Sequence, residues 1–280
     1  MEAGKRWALL IGIDRYPRLS ERYQLAGCVN DVRALSQVLV ERHGFPAGNV
    51  RELLDEAATR EGILQALEDL VTRVGEGDAV LVHYSGHGSQ VIDLDGDEDD
   101  SLDETLFPSD SGRAPDPNRD ILDDEIHAWL GRLTGRTSNI TLLFDCCHSG
   151  TITRGALLGT GRVRGVEPDL RRPAAPRGAV DGPAPSGGPP TAPAPVLLTA
   201  CLASETSHEV ELGEGGTSQG ALSYLVGRAL AAAAPDATWE SLFATVAPQV
   251  TALYPNQHPQ IEGPATRGLF VLRTSHKVYG

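Results

Sequence analysis

Four short runs of almost unbroken apolar residues, at 7–13, 79–84, 140–144 and 196–200, set the strongest limit on how this chain folds. A strand that is apolar at nearly every position, rather than at every second one, is buried on both faces. Such strands belong to parallel sheets covered by helices on either side. Between the runs lie segments of helical spacing. Residues 32–43 carry Leu35, Val38 and Leu39 on one face, behind Asn30 or Asp31 as candidate N-cap. A stretch opening at Thr59 carries Ile63, Leu67, Leu70 and Val71 as a stripe and closes at 75–78. Further helices are expected at 121–130, 218–234 and 240–254, with strands at 50–54 and 268–272. Strands alternating with helices predict an α/β three-layer sandwich, with a mostly parallel central sheet and helices on both faces. In that architecture functional residues sit in loops beyond the carboxyl ends of strands.

The stretch 155–195 breaks the pattern. Nine prolines fall between 168 and 195 among Gly, Ala and Arg, with no apolar periodicity, which reads as a flexible linker. The expected organisation is a large portion (1–154), the linker, and a small portion (196–280) that completes the same sheet. The net charge of −14, from 38 acidic and 24 basic residues, excludes general nucleic-acid binding. No run approaches a membrane span or a signal segment, so a cytoplasmic, monomeric protein is expected. Cys28, Cys146, Cys147 and Cys201 show no CxxC spacing, which argues against a disulfide framework or a thiolate zinc site.

Two glycine-flanked motifs follow central strands: Tyr84-Ser85-Gly86-His87-Gly88 and Asp145-Cys146-Cys147-His148-Ser149-Gly150. A histidine near neutrality suits proton transfer from a thiol, and a cysteine in a strand-end turn can offer amide hydrogens to a developing oxyanion. Alternation at the strand exit separates Cys147 from Cys146, which is expected to be buried.

These motifs, with Gly27-Cys28-Val29-Asn30-Asp31, Asp120-Ile121-Leu122-Asp123-Asp124-Glu125, Leu198-Thr199-Ala200-Cys201 and Gln257-His258-Pro259-Gln260, resemble those of metacaspases, within the caspase-like peptidase clan. The resemblance implies the caspase-like (caspase-hemoglobinase) form of the three-layer sandwich. It also implies a cysteine endopeptidase with His87 as base and Cys147 as nucleophile. By the same resemblance Asp31, Asp145, Cys28 and Ser85 line the S1 pocket. Two converging carboxylates favour protein or peptide substrates with Arg or Lys at P1, not Asp.

Calcium ligands are implied at Asp103, Asp123 and Asp124. Arg154 stands where the family has a further acid, and Asp97, Asp99 or Asp100 are candidates to compensate. Self-cleavage in the linker is expected at one of Arg154, Arg162, Arg164, Arg171, Arg172 or Arg177. Two other readings use the same residues. A catalytically silent scaffold is disfavoured by the presence of both His87 and Cys147. A dyad thiol peptidase or transferase with another P1 preference stays open.

Overall fold

The computed structural model describes residues 4–94, 101–147, 162–171, 194–212 and 216–272. Its centre is a six-stranded sheet built from β1 (Arg6–Gly12), β2 (Val50–Leu54), β3 (Ala79–Ser85), β7 (Asn139–Asp145), β8 (Val196–Thr199) and β11 (Gln260–Glu262). The order across the sheet is β11-β8-β7-β3-β1-β2. Every pairing is parallel except β11 on β8.

Neighbouring residues of one strand enter opposite cores, which is the period-two rule at work. Leu9, Ile11, Val80, Val82, Ile140 and Leu142 join one cluster; Ala8, Leu10, Ala79, Leu81, Leu143 and Leu198 join the other. The first cluster is roofed by α2 (Arg60–Arg73) and α3 (Asp123–Thr134), through Ile63, Leu67, Trp129 and Leu133. The second is roofed by α1 (Cys28–His43), α4 (Ala221–Ala232) and α5 (Trp239–Leu253), through Leu35, Leu39, Leu225 and Val246. The expected three layers are present. No helix among the described residues is long and apolar enough to cross a membrane.

Three elements differ from the sequence reading. Residues 268–272 do not form the final strand. Phe270 has φ +52° and packs edge-on against Phe45 (5.0 Å) and Trp239 (5.2 Å), so this apolar segment plugs the second core instead of joining the central sheet, with a single antiparallel bridge from Gly268 to Thr238. The last strand is β11. Second, the acidic region after Gly88 forms the arms of a hairpin, β4 (Gly88–Ile92) and β5 (Leu102–Leu106), to which β6 (Ile121–Leu122) adds. Third, the helix expected from 218 starts at Ala221, because β10 (Thr217–Gly220) pairs antiparallel with β9 (Glu209–Leu212). That small hairpin lies against the start of α1, where Asn30 Nδ2 donates to Ser218 O at 3.0 Å.

Candidate active site

β3 and β7 are parallel neighbours in register, with Ser85 opposite Asp145. His87 and Cys147 each lie two residues beyond that row, so the sheet itself delivers the two motifs side by side. His87 is fully buried, and its Nε2 meets Tyr23 O at 2.7 Å. A carbonyl can only accept, so Nε2 carries the proton and Nδ1 holds the lone pair. Nδ1 is buried without a hydrogen-bond partner. Burial pushes the imidazole pKa down to about 4, against the smaller opposing effect of the Tyr23 carbonyl. The ring is therefore neutral at physiological pH. Tyr16 Oη accepts from the His87 amide at 2.9 Å and fixes the turn.

The segment that lies on these two turns belongs to the chain itself. Residues 162–171, expected as part of a linker without a pattern for burial, instead run through the site. Arg164 O accepts the Cys147 amide at 3.0 Å and the Gly88 amide at 3.2 Å. Two backbone N–H groups on one carbonyl oxygen form the arrangement that stabilises an oxyanion. Upstream, Arg164 N donates to Ser207 O and Glu209 N donates to Arg162 O, both at 3.0 Å. Downstream, Val166 N donates to Gly88 O at 3.0 Å and Asp169 N to Gln90 O at 2.9 Å. The segment is thus an added strand on both sides of Arg164, held by main-chain hydrogen bonds as in β-augmentation.

The Arg164 side chain fills a closed polar pocket and is 0 % exposed. Its guanidinium reaches Asp31 Oδ2 at 2.7 Å, Asp145 Oδ2 at 3.2 Å and Glu209 Oε1 at 3.4 Å, and donates to Ser85 Oγ at 2.8 Å. Each carboxylate is itself positioned. Asp31 accepts from Ser85 Oγ (2.8 Å) and the Gly220 amide (3.0 Å). Asp145 accepts from Ser207 Oγ (2.7 Å) and the Ser223 amide (2.8 Å), while Glu209 accepts from the Gly27 amide (2.8 Å). Cys28 lies beside Glu209, its Sγ 3.9 Å from Oε1.

Burial pushes Asp31 up to about 7, with Asp145 adding to the rise and Arg164 opposing it. For Asp145 burial acts in the same upward direction, yet Arg164 and the two serines outweigh it and hold the carboxyl below its usual range. Burial also works against the charge on Arg164, and the surrounding acids more than restore it.

Asp31, Asp145, Cys28 and Ser85 are therefore brought together, and the pocket contains one further acid, Glu209. Asp31 is not an N-cap, since it is the fourth residue of α1. Asp14 serves that end instead, accepting from the Cys28 amide at 2.8 Å. Of the three linker arginines among the described residues, Arg164 enters the pocket and Arg162 and Arg171 are exposed; Arg154, Arg172 and Arg177 lie outside the described residues. Burial raises the Cys146 thiol far above its ordinary range, leaving it protonated and inert. Ser207 N donates to Cys147 Sγ at 3.2 Å.

The expected calcium ligands lie on neighbouring elements. The β5–β6 register, with Thr105 opposite Leu122, carries Asp103 toward Asp123 and Asp124 at the start of α3. Carboxylate oxygens are suitable donors for a hard cation. Among the described residues, however, the trio of acidic or thiol ligand atoms within 4.8 Å of one another is Asp14, Cys28 and Glu209. Asp97, Asp99, Asp100 and Arg154, the other residues of the calcium expectation, lie outside the described residues.

The family model for "Metacaspase, peptidase C14 domain" matches residues 6–154. Metacaspase-1 of Schizosaccharomyces pombe is 42 % identical over 153 residues, which are 52 % of this chain and 34 % of that protein. Metacaspase-1 of Pyricularia oryzae is 43 % identical over 154 residues, 53 % of this chain and 37 % of its own length. The match thus spans about a third of these relatives. A crystal structure of a Geobacter sulfurreducens protein superposes with a TM-score of 0.65 over 96 % of this chain and 97 % of that one, at 22 % identity. That likeness is one of fold alone.

Proposed function

The chain belongs to the metacaspase family, and from that premise we propose that it is a cysteine endopeptidase that cleaves after arginine, beginning with its own Arg164–Gly165 bond. The observation that carries the reading is the placement of Arg164. Its side chain lies among three carboxylates, and its carbonyl oxygen lies on two amides, one of them from Cys147.

In the proposed reaction Cys147 Sγ gives its proton to His87 Nδ1 and attacks the Arg164 carbonyl carbon. The Cys147 and Gly88 amides stabilise the resulting oxyanion. His87 then returns the proton to the Gly165 nitrogen, the C–N bond breaks, and a thioester to Arg164 remains. Water, deprotonated by the same Nδ1, releases the Arg164 carboxylate and restores the thiol. Tyr23 O keeps Nε2 protonated throughout, so the base stays in the required tautomer.

A guanidinium reaches all three acids and Ser85 from one planar fork, whereas an ammonium is a single point charge. Arginine is therefore preferred over lysine at P1. A set of internally quenched peptides differing only at P1 tests this. Arg is expected to be cut fastest, Lys on the order of tenfold more slowly, and Asn or Asp not at all. Efficient cleavage after Asp would overturn the pocket reading.

The buried histidines also set a pH dependence. His83, whose Nε2 meets Ser223 Oγ at 3.0 Å, is held by burial at about 4, as is His87. An unfolded histidine titrates near ~6.5. Between the two values the unfolded chain binds the extra proton, so stability rises as pH rises from about 4 to ~6.5. His43 and His208, lowered by partial burial, act in the same direction. Asp31 acts in the opposite one, since over roughly pH 4 to 7 it is the native state that holds the proton. His83→Gln keeps a nitrogen near Ser223 without the titration. In urea unfolding it is expected to reduce the slope of stability against pH by about 1.4 kcal/mol per pH unit over that window. An unchanged slope would mean that His83 is not held neutral.

A further inference from the structure

Upstream of the Arg164–Gly165 bond, the contacts to the two described residues before the arginine are main-chain ones. Arg162 is exposed and Val163 is half-buried. Downstream the segment is gripped at Val166, Glu167 and Asp169. Val166 is 1 % exposed and belongs to the first hydrophobic core. Ser89 Oγ, whose hydroxyl also meets Val166 O at 3.0 Å, lies 3.2 Å from Glu167 O. Arg113 donates Nε to the same Glu167 carbonyl at 3.0 Å. Arg113 is fixed for this contact by Asp120 at 3.0 Å and by stacking over Phe107, 4.7 Å from the ring centroid. The Glu167 carboxylate is bound by the Tyr23 hydroxyl and lies 3.5 Å from Arg22. Asp169 is buried and accepts from Asn118 Nδ2 at 2.9 Å.

Resting on the reading of the Arg164–Gly165 bond as a bound substrate, we infer that the enzyme selects its substrates on the leaving-group side. Its substrate class is Arg–Gly followed by a branched aliphatic residue and then an acid. The edge of β4 reads the backbone, the first core reads the P2′ side chain, and Arg22 with Tyr23 reads the P3′ carboxylate. Arg113 is a positioning residue for the P3′ carbonyl. A consequence is that short substrates ending in a P1 chromophore lack most of the recognised groups.

The test uses the self-processed wild-type enzyme and internally quenched peptides with the sequence of residues 162–170, each cut product identified by mass. Any docked segment of the enzyme competes equally with every peptide, so ratios of kcat/KM are independent of it. Relative to the native sequence, the Val166→Asp peptide is expected to lose on the order of tenfold or more, because the site buries this side chain completely. The Glu167→Lys peptide is expected to lose about threefold, as the Arg22 pair is exposed to solvent. The enzyme variant Arg22→Glu should recover that loss for the lysine peptide and slow the native one. Equal rates for all these peptides at constant P1 Arg would overturn the inference while leaving the P1 reading intact. Failure to cut any of them would overturn the P1 reading, and this inference with it.

Discussion

Wild-type protein, incubated and run on a denaturing gel, is expected to separate into two chains, the second beginning at Gly165, whereas Cys147→Ala protein stays whole. The effect is all-or-none because the variant removes the nucleophile. Its fold should persist, since the change only deletes a sulfur from a covered site. Arg164→Gln tests the other half of the placement. It leaves Asp31, Asp145 and Glu209 in a closed pocket with no cation, a change that typically costs about 3–5 kcal/mol of stability. It should also leave the 164–165 bond uncut. The conservative Arg164→Lys guards against a trivial failure to fold: it keeps the charge, so it should process more slowly than wild type but at the same bond. Cleavage of Arg164→Gln at Arg162 or Arg171 with undiminished rate would show that the pocket contents observed here do not choose the bond. Fragments from Cys147→Ala protein would indicate a contaminating protease. The two wild-type fragments are expected to co-elute near the intact mass, because β7 and β8 pair across the cut within one buried sheet.

The second large effect is expected at a residue with no functional group. Gly220 ends β10, and its amide donates to Asp31. A Cβ built there would lie 2.2 Å from both Arg164 Nη1 and Asp145 Oδ2. Neither atom is a free side-chain end, since both are tied into the ion-pair network. The backbone at Gly220, φ −69° and ψ 139°, is one that alanine adopts without strain. Gly220→Ala should therefore fold but exclude the guanidinium, slowing cleavage after Arg by at least ~100-fold, equivalent to roughly 2.7 kcal/mol in the transition state. Lysine has a narrower head. The double variant Gly220→Ala with Arg164→Lys is accordingly expected to process faster than Gly220→Ala alone. Unchanged processing of Gly220→Ala would mean that the pocket is far more pliant than its hydrogen bonding implies.

The middle of the central sheet was legible because β3 and β7 are buried on both faces, so residues 79–84 and 140–144 are almost unbroken apolar runs. The observed register of β3 and β7, Ser85 opposite Asp145, then pairs the two motifs. Residues 268–272 carried the same kind of signal for a different reason: Phe270 is buried as a plug against aromatic rings while Val271 is exposed, and apolar content alone does not tell a strand from a plug. β11 was missed because an edge strand of three residues needs no apolar run.

At the site, the acids on strand and helix ends could be named from their motifs. Glu209 could not, since it enters from a polar hairpin whose path depends on pairing between β9 and β10. The partner of His87 is a main-chain carbonyl, which every residue possesses and no side chain advertises. Arg164 was one of six linker arginines with nothing local to separate it. Arg154, Arg164 and Arg177 are all followed by glycine. Its selection comes from where the segment lies, with Val166 sunk into a core built by residues far away in sequence.

That the chain folds with Arg164 already seated among its acids changes the kinetic order of the first turnover. A peptidase acting on another molecule must wait for an encounter, and its rate scales with the concentration of both. Here, under the proposed chemistry, the reactants are joined by the backbone, and their relative position is set once folding is complete. The first cut then proceeds as a single exponential with the same half-life at any dilution, and unrelated substrate added in excess does not delay it. Expression level would alter how many molecules mature but not how long each one takes. The interval between folding and maturation becomes a property of the individual molecule, counted from its own completion.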